Sequence, residues 1–236
     1  VKAILLAAGR GERMRPLTDV TPKPLLEAGG RSLIEWQIRR LAAAGISDIA
    51  VNVSHLGEQI IAALGDGQSL GVRVRYSREP SALETAGGIA LALTLLGDGC
   101  FVATNADIYC DFDYSRLNEV ARRMTGPSDE PATLAHLVLV ANPEHHPKGD
   151  FTLADSGRLI PGDAERLTFS GIGVYRPEFF SSMVPGERRA LGPMLHAAAA
   201  RGEVTGERFD GLWMDIGTPE RLEKLRTRVR GSDGAG

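Results

Sequence analysis

The segment 4–25, ILLAAGRGERMRPLTDVTPKPL, constrains the fold more than any other part of the chain. Its first residues complete a short apolar run, 1–6, that reads as a buried strand. The run then gives way to Ala7, Ala8, Gly9 and Gly11, with Arg10, Arg13, Arg15 and Lys23 among and after them. Small residues after a strand let backbone N–H groups approach an anion closely, and the cations supply compensating charge. Pro16, Pro22 and Pro24 disfavour helical geometry in the residues before them. The expectation is a long, proline-braced loop leaving a buried strand, and the ligand it suits is a polyphosphate.

Two better-known phosphate motifs do not fit. A dinucleotide-binding fingerprint needs a third glycine where Met14 stands. A Walker A loop ends in Gly-Lys-Ser/Thr, whereas Lys23 is followed by Pro24. The bland alternative, a basic surface loop, does not account for charges set so close to glycines. Net charge is only −3 over 236 residues, so no broad attraction to nucleic acid is expected and the local cations mark a site.

Beyond the loop, strand and helix signals alternate. Ser32 and Glu35 form a capping box that opens a helix to about Ala44, closed by Gly45. Strands are expected at 49–53, 72–76 and 100–104, and helices at 59–64 and 85–96. This alternation implies an α/β fold: a Rossmann-like mixed, mainly parallel sheet flanked by helices. After an expected loop at 126–131 the pattern changes. Strands are expected at 133–140 and 167–175, with a hairpin from 151–153 and 158–160. A helix follows at 193–201, with Pro193 in its first turn, then short strands at 203–207 and 212–214. Thr218 caps a last helix running from Pro219 to about Val229. We expect one domain over 1–230, made of a ligand-binding half at about 1–125 and a lid half at about 126–230, then a disordered tail at 231–236.

Cys100 and Cys110 lack metal-ligand spacing and are expected to be reduced and buried. No apolar run reaches the ~18 residues of a membrane span. Val1 opens directly into a core strand, so no signal peptide is expected and the expected location is the cytoplasm.

Acids stand at two strand ends. Asn105-Ala106-Asp107 follows the 100–104 strand, and ligands of open α/β sheets sit beyond the carboxyl ends of strands. An acid there, opposite a cationic loop, suits a hard cation; the alternative is a strand-end turn held by local Asn and Asp hydrogen bonds. Asp215 precedes Gly217 and the last helix, where it could instead serve the helix dipole. Mg²⁺ takes one or two carboxylates and completes its shell with phosphates and water. Glu84-Thr85-Ala86-Gly87-Gly88 also suits a plain helix start. His145 and His146 show no carboxylate partner or metal spacing and read as a solvated loop. Glu79, before Pro80, reads as a strand end without an assigned role.

Gly9, Gly11, Arg13, Met14, Pro16, Leu17 and Thr18, followed by Pro22, Lys23, Pro24 and Leu25, resemble the G-x-G-(x)-R-(L/M)-x-P-L-T and P-K-P-L signature of the sugar-1-phosphate nucleotidyltransferases. The resemblance runs from Val1 to about Leu225. It departs at Glu12, where that family prefers Thr or Ser, and at Ala106, where it has glycine. The Glu84 form of the turn, the stretch Gly149 to Leu153 and Phe169-Ser170-Gly171-Ile172 are similar to the branch that acts on N-acetylmuramate 1-phosphate.

The resemblance implies the nucleotide-diphospho-sugar transferase, glycosyltransferase-A-like, architecture. It places Ala7, Ala8, Gly9, Gly11, Glu12, Arg13, Lys23, Thr85 and Gly87 on the nucleotide, with Gly87 flat against the base. Arg13 and Lys23 are the implied catalytic cations. Asn105, Asn142, Asp150 and Ser170 are implied on the sugar phosphate, and Asp107 and Asp215 on Mg²⁺. The implied reaction joins a nucleoside triphosphate, UTP favoured, to a sugar 1-phosphate, N-acetylmuramate 1-phosphate favoured. It releases pyrophosphate and belongs to the recycling of peptidoglycan sugars. The implied enzyme is a monomer or weak homodimer without nucleic-acid or membrane partners, and without room for the extra regulatory or acyltransferase domains of longer members. Alternatives are guanylyl transfer to mannose or heptose 1-phosphate, and uridylyl or thymidylyl transfer to glucose 1-phosphate. A non-catalytic nucleotide-binding subunit is disfavoured by intact Arg13, Lys23, Asp107 and Asp215, and a nicotinamide oxidoreductase by the missing third glycine.

Overall fold

The computed structural model describes residues 1–126, 132–160 and 165–232. The chain begins with β1 (Lys2–Leu6) and three single 3₁₀ turns, Glu12–Met14, Leu17–Asp19 and Lys23–Leu25. The hairpin β2 (Glu27–Ala28) and β3 (Arg31–Ser32) leads to α1 (Leu33–Ala43), β4 (Asp48–Val53), α2 (Gly57–Leu64), β5 (Arg73–Arg78) and α3 (Glu84–Leu96). Then come β6 (Phe101–Asn105), β7 (Ile108–Cys110) and α4 (Ser115–Thr125). The second half adds β8 (Ala135–Val140), β9 (Phe151–Leu153), β10 (Leu159–Ile160) and β11 (Arg166–Tyr175). It closes with α5 (Leu191–Ala200), β12 (Val204–Arg208), β13 (Trp213–Asp215) and α6 (Pro219–Ser232).

β1 lies at the centre because it is apolar on both faces: Ala3 and Leu5 enter one core, Ile4 the other. β5, β4, β1 and β6 run parallel in that order. β11 adds antiparallel to β6 and carries β8, β9 and β10, so the sheet is mixed around a parallel centre. α1, α2 and α4 cover one face, with Ile34, Ile60 and Leu117 buried there. α3 and α5 cover the other through Ile89 and Leu195. From β1 the chain builds outward to β4 and β5, then recrosses through α3 to β6 on the opposite side of β1. The loops after β1 and β6 therefore diverge and open a crevice at the strands' carboxyl ends. A third apolar cluster joins Met14 and Leu26 of the loop to Ile216, Leu222, Leu225 and Val229, so α6 backs the loop from behind.

Several boundaries differ from the sequence expectation. α4 was not anticipated, although Leu117, Val120, Ala121 and Met124 repeat at helical spacing and are all buried. α5 begins at Leu191, which leaves Pro193 in the first turn, where an N–H has no helical partner to lose. Gly231 and Ser232, expected in the tail, belong to α6. The remaining tail, 233–236, and the expected loop over 127–131 lie outside the described residues. Among the described residues no helix is long and apolar enough to cross a membrane.

Candidate active site

β1 ends at Leu6, flanked by Asn52 of β4 and Asn105 of β6. The loop beyond folds back on itself. Thr18 Oγ1 donates to the Gly11 carbonyl at 2.8 Å. Gly11 adopts φ +66°, and a Cβ there would stand 2.9 Å from Thr18 Cγ2 and 3.2 Å from Lys23 Cβ. Glycine is therefore required both for the left-handed backbone and for the closure of the loop's two ends. Met14, which occupies the missing glycine position, is fully buried and anchors the loop to α6. Arg13 and Lys23 then line a cavity of about 480 Å³ together with Gly9, Gly11, Glu12 and Asp107. A second chamber of about 340 Å³ shares Leu6, Gly9 and Asp107 with the first and adds Ala8, Thr85 and Asn105. Both lie at the β1/β6 divergence. Ala7 borders the first chamber.

The backbones around Asp107 and Asp215 are brought together by strand pairing. β13 runs antiparallel to β7, with Asp215 opposite Ile108, and the Ile216 N–H donates to the Asp107 carbonyl at 2.9 Å. Each acid meets a cation: Lys23 Nζ contacts Asp107, and Arg221 Nη1 of α6 contacts Asp215. His145 Nε2 stands 3.1 Å from Asp215 and 2.8 Å from Arg221 Nη1. Asp215 itself faces a neighbouring hollow of about 360 Å³ with Pro143, His145 and Trp213, while Gly217 belongs to the main cavity. Asp107 and Asp215 are both partly exposed carboxylates, and oxygen donors of this kind suit a hard cation. Among the described residues no cluster of three or more ligating side chains exists, so phosphate and water must fill most of such a shell.

The other anticipated residues separate into two groups. Thr85 and Asn105 stand in the second chamber, and Asn105 lies so close to Gly171 that a Cβ there would come within 2.5 Å of its Nδ2. Gly87, expected on the base, lines neither chamber. A Cβ on Gly87 would collide with the Glu187 carbonyl, and the Ala86 and Gly87 N–H groups donate to the Arg189 carbonyl at 3.1 and 3.2 Å. Its smallness serves the docking of 187–189 on α3. Asn142, Asp150 and Ser170 are occupied by internal bonds. Asn142 accepts from Thr168 Oγ1 at 2.8 Å, Asp150 accepts the Phe169 N–H at 2.8 Å, and the buried Ser170 hydroxyl donates to the Val138 carbonyl at 2.7 Å. Their polar atoms shape the β9/β11 corner.

The histidine pair is not a partnerless solvated loop: His145 meets Asp215, and His146 Nε2 lies 2.9 Å from Asp150 Oδ1. The four-residue spacing of His146 and Asp150 was visible in the sequence; the His145–Asp215 contact was not. Glu79 is a buried carboxyl that holds the Leu83 N–H at 3.0 Å and the Asn52 amide at 2.6 Å. Burial raises its pKa, and these two donors oppose the rise. Asn52, Arg221 and this role of Glu79 escaped sequence reasoning, since their partners are remote along the chain.

A crevice at the β1/β6 divergence, walled by a cationic glycine loop and strand-end acids, defines a nucleotide-using transferase. The chain belongs to the nucleotidyl transferase family, whose model matches residues 2–145. More narrowly, it is a sugar-1-phosphate nucleotidyltransferase. It is 47% identical to the N-acetylmuramate alpha-1-phosphate uridylyltransferase of Neisseria meningitidis serogroup B, over 96% of this chain and 97% of that protein. Identity to the enzyme of the same name from Caulobacter vibrioides is 35%, over 97% and 96%. A Bacillus anthracis crystal structure, provisionally assigned as a glucose-1-phosphate thymidylyltransferase, shares the fold at a TM-score of 0.84 and 23% identity, over 97% of this chain and 95% of that one. Enzymes of this family typically use a divalent metal.

Proposed function

We propose that the chain transfers uridylyl from UTP to N-acetylmuramate 1-phosphate, yielding UDP-N-acetylmuramate and pyrophosphate, in the recycling of peptidoglycan sugars. The end-to-end identity to the Neisseria enzyme supports the substrate pair. The contact of Lys23 with Asp107 where two chambers meet carries the chemical reading.

In this reading the nucleoside lies beside Ala8 and Thr85 in the second chamber, and the triphosphate follows the glycine loop. Arg13 makes no ion pair among the described residues, so its planar fork is available to the β- and γ-phosphates and to the leaving pyrophosphate. Lys23 neutralises the α-phosphate or the incoming sugar phosphate. A sugar-phosphate oxygen attacks the α-phosphorus in line, forming the new P–O bond as the bond to pyrophosphate breaks. The nucleophile is already anionic, so no strong general base is needed; positioning and charge stabilisation dominate. Asp107 and Asp215 would hold Mg²⁺, which when bound supplies charge neutralisation at phosphate oxygens. Asn105, Asn142, Asp150 and Ser170 frame the sugar side. The same reading makes 1–230 one catalytic domain, a monomer or weak homodimer, and UTP as substrate puts it in the cytoplasm.

Pyrophosphate release tests this, with UTP, GTP and dTTP each paired with N-acetylmuramate, mannose and glucose 1-phosphates. UTP with N-acetylmuramate 1-phosphate should lead every other pair by at least about tenfold in kcat/KM. A faster pair would displace the substrate assignment, and no release with any pair would displace the catalytic one.

A further inference from the structure

Asn52 takes no part in the chemistry above, yet both ends of its amide are engaged in the floor of the nucleotide chamber. It sits next to last in β4, opposite Leu6, and is 3% exposed. Strand alternation turns Ile49, Val51 and Val53 toward α1, and Ala50 and Asn52 toward α3. The Ala7 N–H, the first beyond β1, donates to Asn52 Oδ1 at 2.7 Å. Asn52 Nδ2 donates to Glu79 Oε1 at 2.6 Å, and Glu79 Oε2 accepts the Leu83 N–H at 3.0 Å. Three hydrogen bonds thus join the peptide before Ala8 and Gly9 to the peptide before Glu84 and Thr85. Gly88 of α3 closes over the network: a Cβ there would stand 2.6 Å from Asn52 Nδ2 and collide with Glu79 Oε1.

We infer that Asn52 is a positioning residue for the nucleotide: through Glu79 it locks the entrance of the glycine loop to the first turn of α3. The inference rests on the reading of that chamber as the nucleotide site. Asparagine is suited to this place because it presents one acceptor and one donor. Aspartate could still accept the Ala7 N–H, but it would set a second carboxylate against Glu79 at hydrogen-bond distance, acceptor to acceptor and charge to charge. Exchanging both residues reverses the donor. In Asn52→Asp with Glu79→Gln, the new amide donates to the new carboxylate and its oxygen accepts the Leu83 N–H. Size and net charge are unchanged.

The test is a kinetic and binding cycle on the wild type, Asn52→Asp, Glu79→Gln and the double variant, with thermal unfolding alongside. Asn52→Asp should raise the triphosphate KM and Kd by about tenfold or more, as expected for a buried polar group left unpaired. The sugar 1-phosphate KM should stay within about twofold, and the double variant should return the triphosphate KM to within about threefold of wild type. A merely structural role would move both substrates together with the unfolding midpoint. The decisive result is a change of sign: Asn52→Asp weakens triphosphate binding beside Glu79 and strengthens it beside Gln at that position. If Asn52→Asp alone does not fold, the comparison of Glu79→Gln with the double variant still reads that sign. A substitution that weakens or leaves unchanged triphosphate binding in both backgrounds overturns the inference. Wild-type turnover of a different triphosphate and sugar phosphate would overturn only the substrate assignment, and the cycle is then read with that pair.

Discussion

Lys23 and Arg13 line the same cavity but are held differently. The Lys23 side chain is 11% exposed and bound to Asp107, whereas Arg13 has no acidic partner among the described residues. Replacing either with Ala should lower kcat by about 10²-fold or more, the scale of losing one charge-stabilising donor at a reacting phosphate. Circular dichroism should show the fold intact in both, and near-normal turnover in both would reject their catalytic roles. Glu79 supplies a pH-dependent prediction. Burial raises its carboxyl above the ordinary 4.5, so the folded chain binds this proton more tightly than the unfolded one. The stability from this group is therefore full below the ordinary value and is lost as pH rises toward the folded one. The unfolding free energy of the wild type, minus that of Glu79→Gln, should fall over the range above the ordinary 4.5 as pH rises. Urea titrations across that range check it, and a flat difference would contradict the raised pKa.

At the scale of elements, the loop depends on a helix at the far end of the chain. α6 contributes Leu222 and Leu225 to the cluster that buries Met14, so the cationic loop is packed from behind rather than held by its own turns alone. Leu222→Ala should cost about 2–5 kcal/mol of stability and lower kcat as the loop loosens. Thermal unfolding and steady-state kinetics measure the two effects, and a stability loss with unchanged kcat would show that the loop needs no backing. Gly11→Ala, forced into a left-handed conformation against Thr18, should cost about 1–3 kcal/mol. The loop, its proline bracing and the caps of α1 and α6 were legible in the sequence because each depends on residues a few positions apart. The apolar repeat of α4 was equally local and went unread beside the acidic strand-end motif before it. The packing of Gly87 against 187–189 was not legible, because glycine next to a helix start has two physical uses, close approach of a ligand and close approach of another backbone.

For the whole molecule, the decisive feature is the reversal of strand order between β1 and β6, with β13 returning beside β7 to set Asp215 against the backbone after Asp107. If both acids serve one divalent ion, chelation should abolish turnover and Mg²⁺ should restore it. Asp107→Asn and Asp215→Asn should each raise the Mg²⁺ concentration needed for half-maximal rate by about tenfold or more. An unchanged Mg²⁺ requirement in either variant would remove that acid from the metal site.

The amino-acid sequence by itself determined the α/β class, the cationic glycine loop after the first strand and the identity of the acids at strand ends. Those properties follow from periodicity, backbone restriction and charge within short windows of chain. Only the tertiary structure decided that Asp107 meets Lys23, that Asp215 is shared by His145 and Arg221, and that Asn52 joins Ala7 to Glu79. Such contacts arise from strand register and helix packing between distant segments, and no local pattern of residues specifies which distant side chain will arrive.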